Sequence, residues 1–267
     1  MSWIQVAAEK PSVAPTTLFN IGPMPVTDSM MTVWLILIIV ILFCVVLNKK
    51  ISLFPKTFQN IVEVVYEMLE NLLNQITSSK FYTAKLFPLI ASLIIFIALS
   101  NLIGTFIPFL GSFSFAGKSI FRSPTSDFNT TVALALSMIL LIQFQSIYRF
   151  GILKHLSNYF KFHEIIGGFK NGIGEGFLGI INFGIGLLDI ISEVARVISL
   201  SMRLFGNMFA GEMLAVVLLG GFAYVLPATW MTMSILSGFI QAMVFGSLTA
   251  AYYMLAMGGE EPREIKE

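Results

Sequence analysis

Two ionisable residues, Arg203 and Glu212, lie inside a long apolar run, in the stretch SLSMRLFGNMFAGEML (199–214). A glutamate can take up and release a proton, whereas an arginine keeps its charge at any working pH. Each such group costs about 2.5–3.5 kcal/mol at membrane depth, so an embedded ionisable residue is by default a candidate for a functional site. Arg203 and Glu212 are therefore candidates for a functional site inside a membrane.

A helical wheel places the two residues on different surfaces. Glu212 follows Arg203 by nine residues, which puts it about 180° around the helix and about 13.5 Å further along the axis. A simple ion pair between them is therefore excluded. One polar stripe, which should face protein or water, is formed by the residues within about 40° of Arg203: Asp189, Ser192, Arg196, Ser199 and Asn207.

The next helix should run back beside this one. If the chain turns near residue 223, Arg203 lies level with Gln241, and Glu212 lies level with Ser234. The arginine then meets an uncharged amide and no acid within the hairpin. We expect its partner carboxylate to come from elsewhere, for example from another subunit.

The composition is that of a membrane protein. Hydrophobic residues make up 56% of the 267 and charged residues only 12%, against about 25% charged in soluble domains. The net charge of +1 gives no indication of a nucleic-acid partner. A single cysteine, Cys44, excludes a disulfide framework, and two histidines, His155 and His163, are too few for a histidine-ligated metal site without help. We expect neither a metal nor a cofactor.

The apolar segments predict an all-α polytopic membrane protein that forms one membrane domain, residues 1–267. Segment 176–219 would be about 66 Å long as one helix, roughly twice the hydrocarbon thickness. Either its glycine-rich start is a separate piece, or the helix is steeply tilted within a long C-terminal hairpin. The expected parts are an external segment 1–29, an amphipathic surface helix 51–85, a cytoplasmic tail 258–267, and membrane helices at 30–47, 86–109, 128–148, 176–219 and 228–257.

The basic residues predict the orientation. With five crossings, eleven Lys and Arg residues fall on the side of the C-terminus and three on the side of the N-terminus. The positive-inside rule then places the C-terminus in the cytoplasm and the N-terminus outside. The N-terminal stretch lacks the basic region of a signal peptide, so we expect the first apolar run to be retained as a span.

The motif MRLFGNMFAGE, with Gln241 downstream, closely resembles the signature of subunit a, the proton-channel subunit of the F-type rotary ATP synthase. The likeness covers roughly residues 17–258. It continues in TLFNIGPMPVT near the N-terminus, in FPL (87–89), in SNLIG (100–104) and in SPTSDFNTT (123–131). The resemblance implies a long tilted hairpin against a ring of c subunits, each with a carboxylate that binds and releases a proton.

The resemblance also implies roles for individual residues. Arg203 would be the essential arginine, which favours the ionised form of an arriving carboxylate and separates two offset half-channels. Glu212 would titrate in the outside half-channel, and Asn207 and Gln241 would orient Arg203. Asn101 and Asp127 would line the outside mouth. The inside half-channel would be lined by Asp189, Ser192, Glu193, Arg196 and Ser199.

Two positions depart from the family pattern. Ser234 stands where members often carry a histidine or an acid, so the relay here should depend on Glu212 and water. Gly104 stands where some members have an acid, which would weaken the negative charge of the outside vestibule.

The implied partners are the c-ring, the peripheral-stalk b subunits, the rest of the complex and membrane lipid. The chain has no Walker-type glycine loop, so it should not be an enzyme by itself. Its expected location is a bacterial plasma membrane, with a mitochondrial inner membrane as the alternative. Protons are the expected coupling ion.

Other interpretations remain open at this point. A stand-alone ion channel or secondary transporter would predict inverted repeats or paired broken helices, and the sequence shows neither. Arg203 and Glu212 could each have a structural role. Asn101 could be a helix–helix contact and Asp127 first a helix cap. A structural ion-pair cluster could be formed by Asp189, Glu193 and Arg196.

Overall fold

The computed structural model describes residues 15–22, 24–52, 54, 56–106, 114–115, 118–119, 121–152, 173–221 and 225–257. The long helices of this part of the chain are α1 (Asp28–Lys50), α2 (Thr57–Thr77), α3 (Lys80–Phe106), α4 (Phe128–Phe150), α5 (Ile173–Gly221) and α6 (Val225–Ala256). All except α2 are long and apolar enough to cross a membrane. The prediction of an all-α polytopic membrane protein is confirmed.

The longest element is α5, which is one continuous helix of 49 residues. Its glycine-rich start therefore belongs to the same helix as Arg203 and Glu212. At 1.5 Å per residue the helix measures about 73 Å, more than twice the roughly 30 Å of a hydrocarbon core. The steep tilt that this length implies stays a prediction. Residues 107–109 of the second predicted span and the tail 258–267 lie outside the described residues, as do His155 and His163.

The N-terminal segment contains a β-hairpin that the sequence did not predict. Strands β1 (Thr17–Ile21) and β2 (Met24–Thr27) pair antiparallel. Gly22 supplies the left-handed backbone that the turn requires, with φ at 62°. The hairpin leads directly into α1, where the Thr27 hydroxyl accepts from the Met30 amide at 3.4 Å and caps the helix. A second, very short pair joins β3 (Ser114–Phe115) to β4 (Lys118–Ser119).

The chain forms two compact units, one of Met1–Thr131 with Met202–Ala251 and the other of Val132–Ser201 with Tyr252–Glu267. In the first unit the amphipathic helix α2 packs on α3. Leu69 and Leu73 of α2 are buried, and the Thr77 and Thr83 hydroxyls meet at 2.6 Å. The predicted amphipathic helix is thus present, over a shorter range than 51–85. The prediction of one membrane domain stays a prediction.

Close packing in the first unit depends on glycines at helix contacts, which include Gly104, Gly238 and Gly246. A Cβ atom on Gly104 of α3 would overlap the Ser123 side chain, and one on Gly238 of α6 would lie 2.9 Å from the Asn101 Cβ. Ser123 is fully buried. It stands directly before the short 3₁₀ helix Pro124–Ser126, which precedes α4. There is therefore no space at Gly104 for a larger side chain, because the loop before α4 occupies that position.

We predict that Gly104→Ala destabilises the protein in spite of the higher helix propensity of alanine. Overpacking of a filled site costs about 1–3 kcal/mol. The thermal midpoint of the purified complex in detergent should fall. Gly184→Ala is the matched control, because a Cβ there meets no atom within 4 Å. Equal midpoints for the two variants would contradict this account of Gly104.

Candidate functional site

Arg203 is an exposed charge on a membrane helix. Its side chain is exposed, and it makes no hydrogen bond, ion pair or ring contact with any described residue. The apolar Met202 beside it is 51% exposed, so this surface of α5 is neither covered by the chain nor polar throughout. A charge in such a place is costly unless a counter-charge or water meets it, and none of the described residues supplies a counter-charge.

Glu212 is placed quite differently. Its Oε1 atom is buried and has no hydrogen-bond partner among the described residues. The residue lines a small cavity of about 10 Å³ together with Gly104, Thr105, Met208, Gly211, Ala215, Trp230, Met231 and Ser234. The contrast between the exposed Arg203 and the inward-facing Glu212 agrees with the wheel, which puts them on opposite faces of one helix.

A buried polar loop before α4 lies near Glu212. Ser126 and Arg122 of this loop, together with Asp28, lie close enough to Glu212 to act on its charge. Arg122 is 8% exposed. Its guanidinium donates to the Ser126 hydroxyl at 3.4 Å and to the Ser126 carbonyl at 3.2 Å. Arg122 therefore holds the residue that approaches Glu212.

The same loop is tied to the start of α1. The Arg122 amide donates to the Thr32 hydroxyl at 3.2 Å. Asp28 is 2% exposed, and its carboxylate accepts from the Thr16 hydroxyl at 2.9 Å and from the Ser29 amide at 2.8 Å. The first two turns of α1 and the Arg122 loop thus form one connected buried region. The charge of Asp28 is stabilised by donors on both sides.

Asn101 joins three elements of the first unit. It is 1% exposed; its Nδ2 donates to the Gly238 carbonyl at 2.9 Å, and its Oδ1 accepts from the Thr125 hydroxyl at 2.8 Å. Thr105, one turn along α3, donates to the Asn101 carbonyl at 2.9 Å and meets the Ser234 hydroxyl at 3.4 Å. These contacts agree with the interpretation of Asn101 as a contact between helices. Its role at the outside mouth stays a prediction.

Asp127 acts as the cap of α4. Its Oδ1 accepts from the Asn129 amide at 3.0 Å and its Oδ2 from the Thr130 hydroxyl at 3.3 Å, and the residue is 4% exposed. A carboxylate at this position is also stabilised by the positive end of the helix dipole. The predicted capping function is confirmed, while the channel function stays a prediction.

Two hydrogen bonds set the register of the hairpin formed by α5 and α6. Trp230 Nε1 donates to the Gly211 carbonyl at 3.2 Å, and the Ser237 hydroxyl donates to Asn207 Oδ1 at 3.0 Å. This register brings Glu212 and Ser234 to one cavity, as the sequence predicts. Gln241 is 9% exposed, and its Nε2 is buried without a partner among the described residues.

The structure forms no hydrogen bond from Arg203 to either of the two amides expected to orient it, Asn207 and Gln241. Asn207 instead accepts from Ser237. The orienting role of both residues therefore stays a prediction.

The remaining predicted residues belong to the second unit. Arg196 pairs with Glu193 at 2.7 Å, and its guanidinium lies 5.1 Å from the centre of the Tyr252 ring. Asp189 and Ser199 are exposed, and Ser192 is half-buried. The ion pair shows that at least Glu193 and Arg196 interact. The channel-lining role of the group stays a prediction.

Sequence reasoning missed the groups that arrive from other elements. Arg122, Ser126, Thr105 and Trp230 approach Glu212 from three different parts of the chain, and no spacing on α5 could indicate them. One signal was available: Thr105 follows Asn101 by four residues on α3, so the two share a helix face. Tyr252 was likewise missed, because its contact with Arg196 joins separate helices.

Comparison with known proteins identifies the family. The family model described as ATP synthase A chain matches residues 30–254. An ATP synthase subunit a from Moorella thermoacetica is 30% identical over 240 residues, which are 90% of this chain and 95% of the relative. Another, from a Sulfurihydrogenibium species, is 33% identical over 217 residues, 81% of this chain and 90% of the relative. A third, from Legionella pneumophila strain Paris, is 29% identical over 249 residues, 93% of each chain.

The matched region reaches all five membrane helices and includes Arg203, Glu212, Arg122 and Ser126. The motif resemblance and the match over most of the chain agree, and so this polytopic membrane protein belongs to the ATP synthase A chain family.

Proposed function

We propose that this chain is the proton-channel subunit a of an F-type ATP synthase and couples proton flow to the rotation of a ring of c subunits. The observation that carries the proposal is Arg203, an exposed charge on a membrane helix that no described residue of its own chain neutralises. Such a group needs a counter-charge or water from outside its own chain, and each c subunit would present a carboxylate as the ring turns.

The chemistry of Arg203 follows from its permanent charge. A guanidinium beside an arriving carboxylic acid favours the ionised form, so the proton leaves. Because arginine does not give up its own proton, Arg203 also prevents protons from passing straight between two half-channels. Each proton that falls through the membrane potential supplies about 2.3 kcal/mol per 100 mV, and the offset between the half-channels would convert that energy into rotation.

The outside half-channel would end at Glu212. In the predicted orientation, the first turn of α1 and the loop before α4 lie toward the outside, and their residues Asp28, Arg122 and Ser126 lie close enough to act on the charge of Glu212. The inside half-channel would be lined by the polar residues of the second unit, Asp189, Ser192, Glu193, Arg196 and Ser199. The Glu193–Arg196 pair would then serve as part of its wall.

The proposed location and partners of the chain follow from its proposed function. The chain would lie in a bacterial plasma membrane with its N-terminus outside and its C-terminus in the cytoplasm, in contact with peripheral-stalk b subunits as well as with the c-ring. The soluble catalytic head would carry out ATP synthesis, because the sequence of this chain offers no nucleotide-binding loop.

We predict that Arg203→Ala abolishes ATP-driven proton pumping and makes the membrane passively leaky to protons, because the barrier between the half-channels is lost. The measurement uses inverted membrane vesicles that contain the whole complex, with subunit content checked by immunoblot. Arg149→Ala is the matched control, since Arg149 is exposed at the end of α4. Normal pumping by an assembled Arg203→Ala complex would refute the proposed function.

We predict that Glu212→Gln slows pumping by about 10- to 100-fold, at or below the usual range for a proton-transferring side chain, and opens no leak. Glutamine keeps the size of the side chain but cannot carry a proton. Glu67→Gln, on the exposed polar face of α2, is the matched control and should pump at the wild-type rate. A Glu212→Gln complex that is assembled and pumps like the control would show that Glu212 has only a structural role.

A further inference from the structure

The second half of α1 is left uncovered by the described part of the chain. The first half is held by its neighbours, because Asp28, Thr32 and Ile36 are buried. In the range 37–49, which the structure describes in full, no residue is buried. Its side chains are mostly apolar, and Ile41, for example, is 60% exposed. This half of a membrane helix therefore presents an apolar surface to whatever surrounds the chain.

The helix α2 carries a second exposed apolar surface. Its large apolar side chains recur at intervals of three or four residues and so share one face. They are all exposed and are named here the apolar row: Phe58, Ile61, Val64, Val65 and Met68. The helix α3 packs on a different face of α2, the one that carries the buried Leu69 and Leu73. The apolar row is therefore not covered by α3, and it suits contact with hydrocarbon at the membrane surface.

Two hydrogen bonds fix the connection between α1 and α2. Gln59 Nε2 donates to the Ser52 carbonyl at 3.1 Å, and the Ser52 amide donates to Gln59 Oε1 at 3.1 Å. The rings of Phe43 and Phe58 meet edge to face, with 5.7 Å between their centroids. Phe54, in the connection itself, is 88% exposed. The second half of α1 and the apolar row thus meet at one fixed place, which is called the α1–α2 corner below.

Two lysines lie at the α1–α2 corner. Lys49 belongs to the last turn of α1 and Lys56 directly precedes α2, and both are exposed. Neither forms an ion pair or a hydrogen bond with a described residue. Glu63, the first acid along α2, accepts from Gln59 Nε2 at 2.8 Å instead. The corner therefore combines apolar walls with two cations that no described residue neutralises.

We propose that the α1–α2 corner binds an anionic phospholipid, whose headgroup phosphate faces Lys49 and Lys56 and whose acyl chains lie against α1 and the apolar row. A phospholipid joins negative charge to hydrocarbon, as the corner joins lysines to apolar side chains. A zwitterionic lipid carries a cation of its own beside the phosphate, so the two lysines favour a headgroup with net negative charge.

The predicted orientation places this corner in the cytoplasmic leaflet, whose anionic lipids attract basic residues close to the membrane. Contact of apolar side chains with hydrocarbon and attraction to anionic headgroups both strengthen binding at a membrane surface. The inference does not depend on proton transfer, so it stands or falls separately from the proposed function. The bound lipid would cover the surface of α1 that the described chain leaves open.

Photolabelling can identify the lipid at the corner. The whole complex is reconstituted into vesicles of equal parts phosphatidylglycerol and phosphatidylcholine, with a trace of one of them carrying a photoactivatable diazirine in an acyl chain. Mass spectrometry of the digested chain then locates the labelled peptides. We expect phosphatidylglycerol to label residues 37–46 and the apolar row in preference to phosphatidylcholine, by about fivefold for each lysine, which corresponds to about 1 kcal/mol per basic residue.

Variants of the two lysines test the source of this preference, after immunoblots have shown that each complex is assembled. Lys49→Gln combined with Lys56→Gln should lower labelling by phosphatidylglycerol to the level of phosphatidylcholine. Lys49→Arg combined with Lys56→Arg keeps both charges and should retain the preference. Lys80→Gln is the matched control, because Lys80 is exposed beyond the other end of α2, after about 30 Å of helix. It should leave labelling at the corner unchanged.

Three results would overturn the inference. The first is equal labelling of the corner by the two lipids in the wild-type complex. The second is an undiminished preference for phosphatidylglycerol in the double glutamine variant. The third is little labelling by either lipid, which would show that another subunit covers the corner.

Discussion

The free-energy cost of a charge inside a membrane is the constraint on which the rest of this structure depends. The membrane helices consist almost entirely of apolar residues. Arg203 is nevertheless exposed on α5, without a counter-charge among the described residues. A soluble protein could leave such an arginine to water at little cost. Within a bilayer the same arrangement is stable only if another molecule or an aqueous path meets the charge.

Glu212 meets the same constraint in the opposite way, because part of its carboxyl group is buried in the protein instead of exposed. One oxygen of its carboxyl group is buried, the residue lines a small cavity, and Ser126, Arg122 and Asp28 lie close enough to act on its charge. The helices must approach closely for this to work. Gly104 permits the loop before α4 to pack on α3, so the absence of an acid at that position is a requirement of packing as well as a change in charge.

The sequence predicted what depends on periodicity along one helix or on the register of one hairpin. The five membrane helices, the opposite faces of Arg203 and Glu212, and the shared level of Glu212 and Ser234 all follow from such local rules. The contacts of Arg122 with Thr32 and of Asn101 with Gly238 do not. They depend on contacts between parts of the chain that are distant in sequence, and hydrophobic patterns carry no information on which buried polar groups meet.

The proposed role of Arg203 depends most directly on what lies opposite its guanidinium in the assembled complex. The decisive measurement is a cryo-electron microscopy structure of the intact ATP synthase, at a resolution that shows side chains at the surface of α5. We expect the Arg203 guanidinium to face the path of the c-ring carboxylates, with one of them within about 6 Å, the range over which an opposite charge controls ionisation. An Arg203 that faces lipid, or is bonded within its own chain away from the ring, would contradict the account.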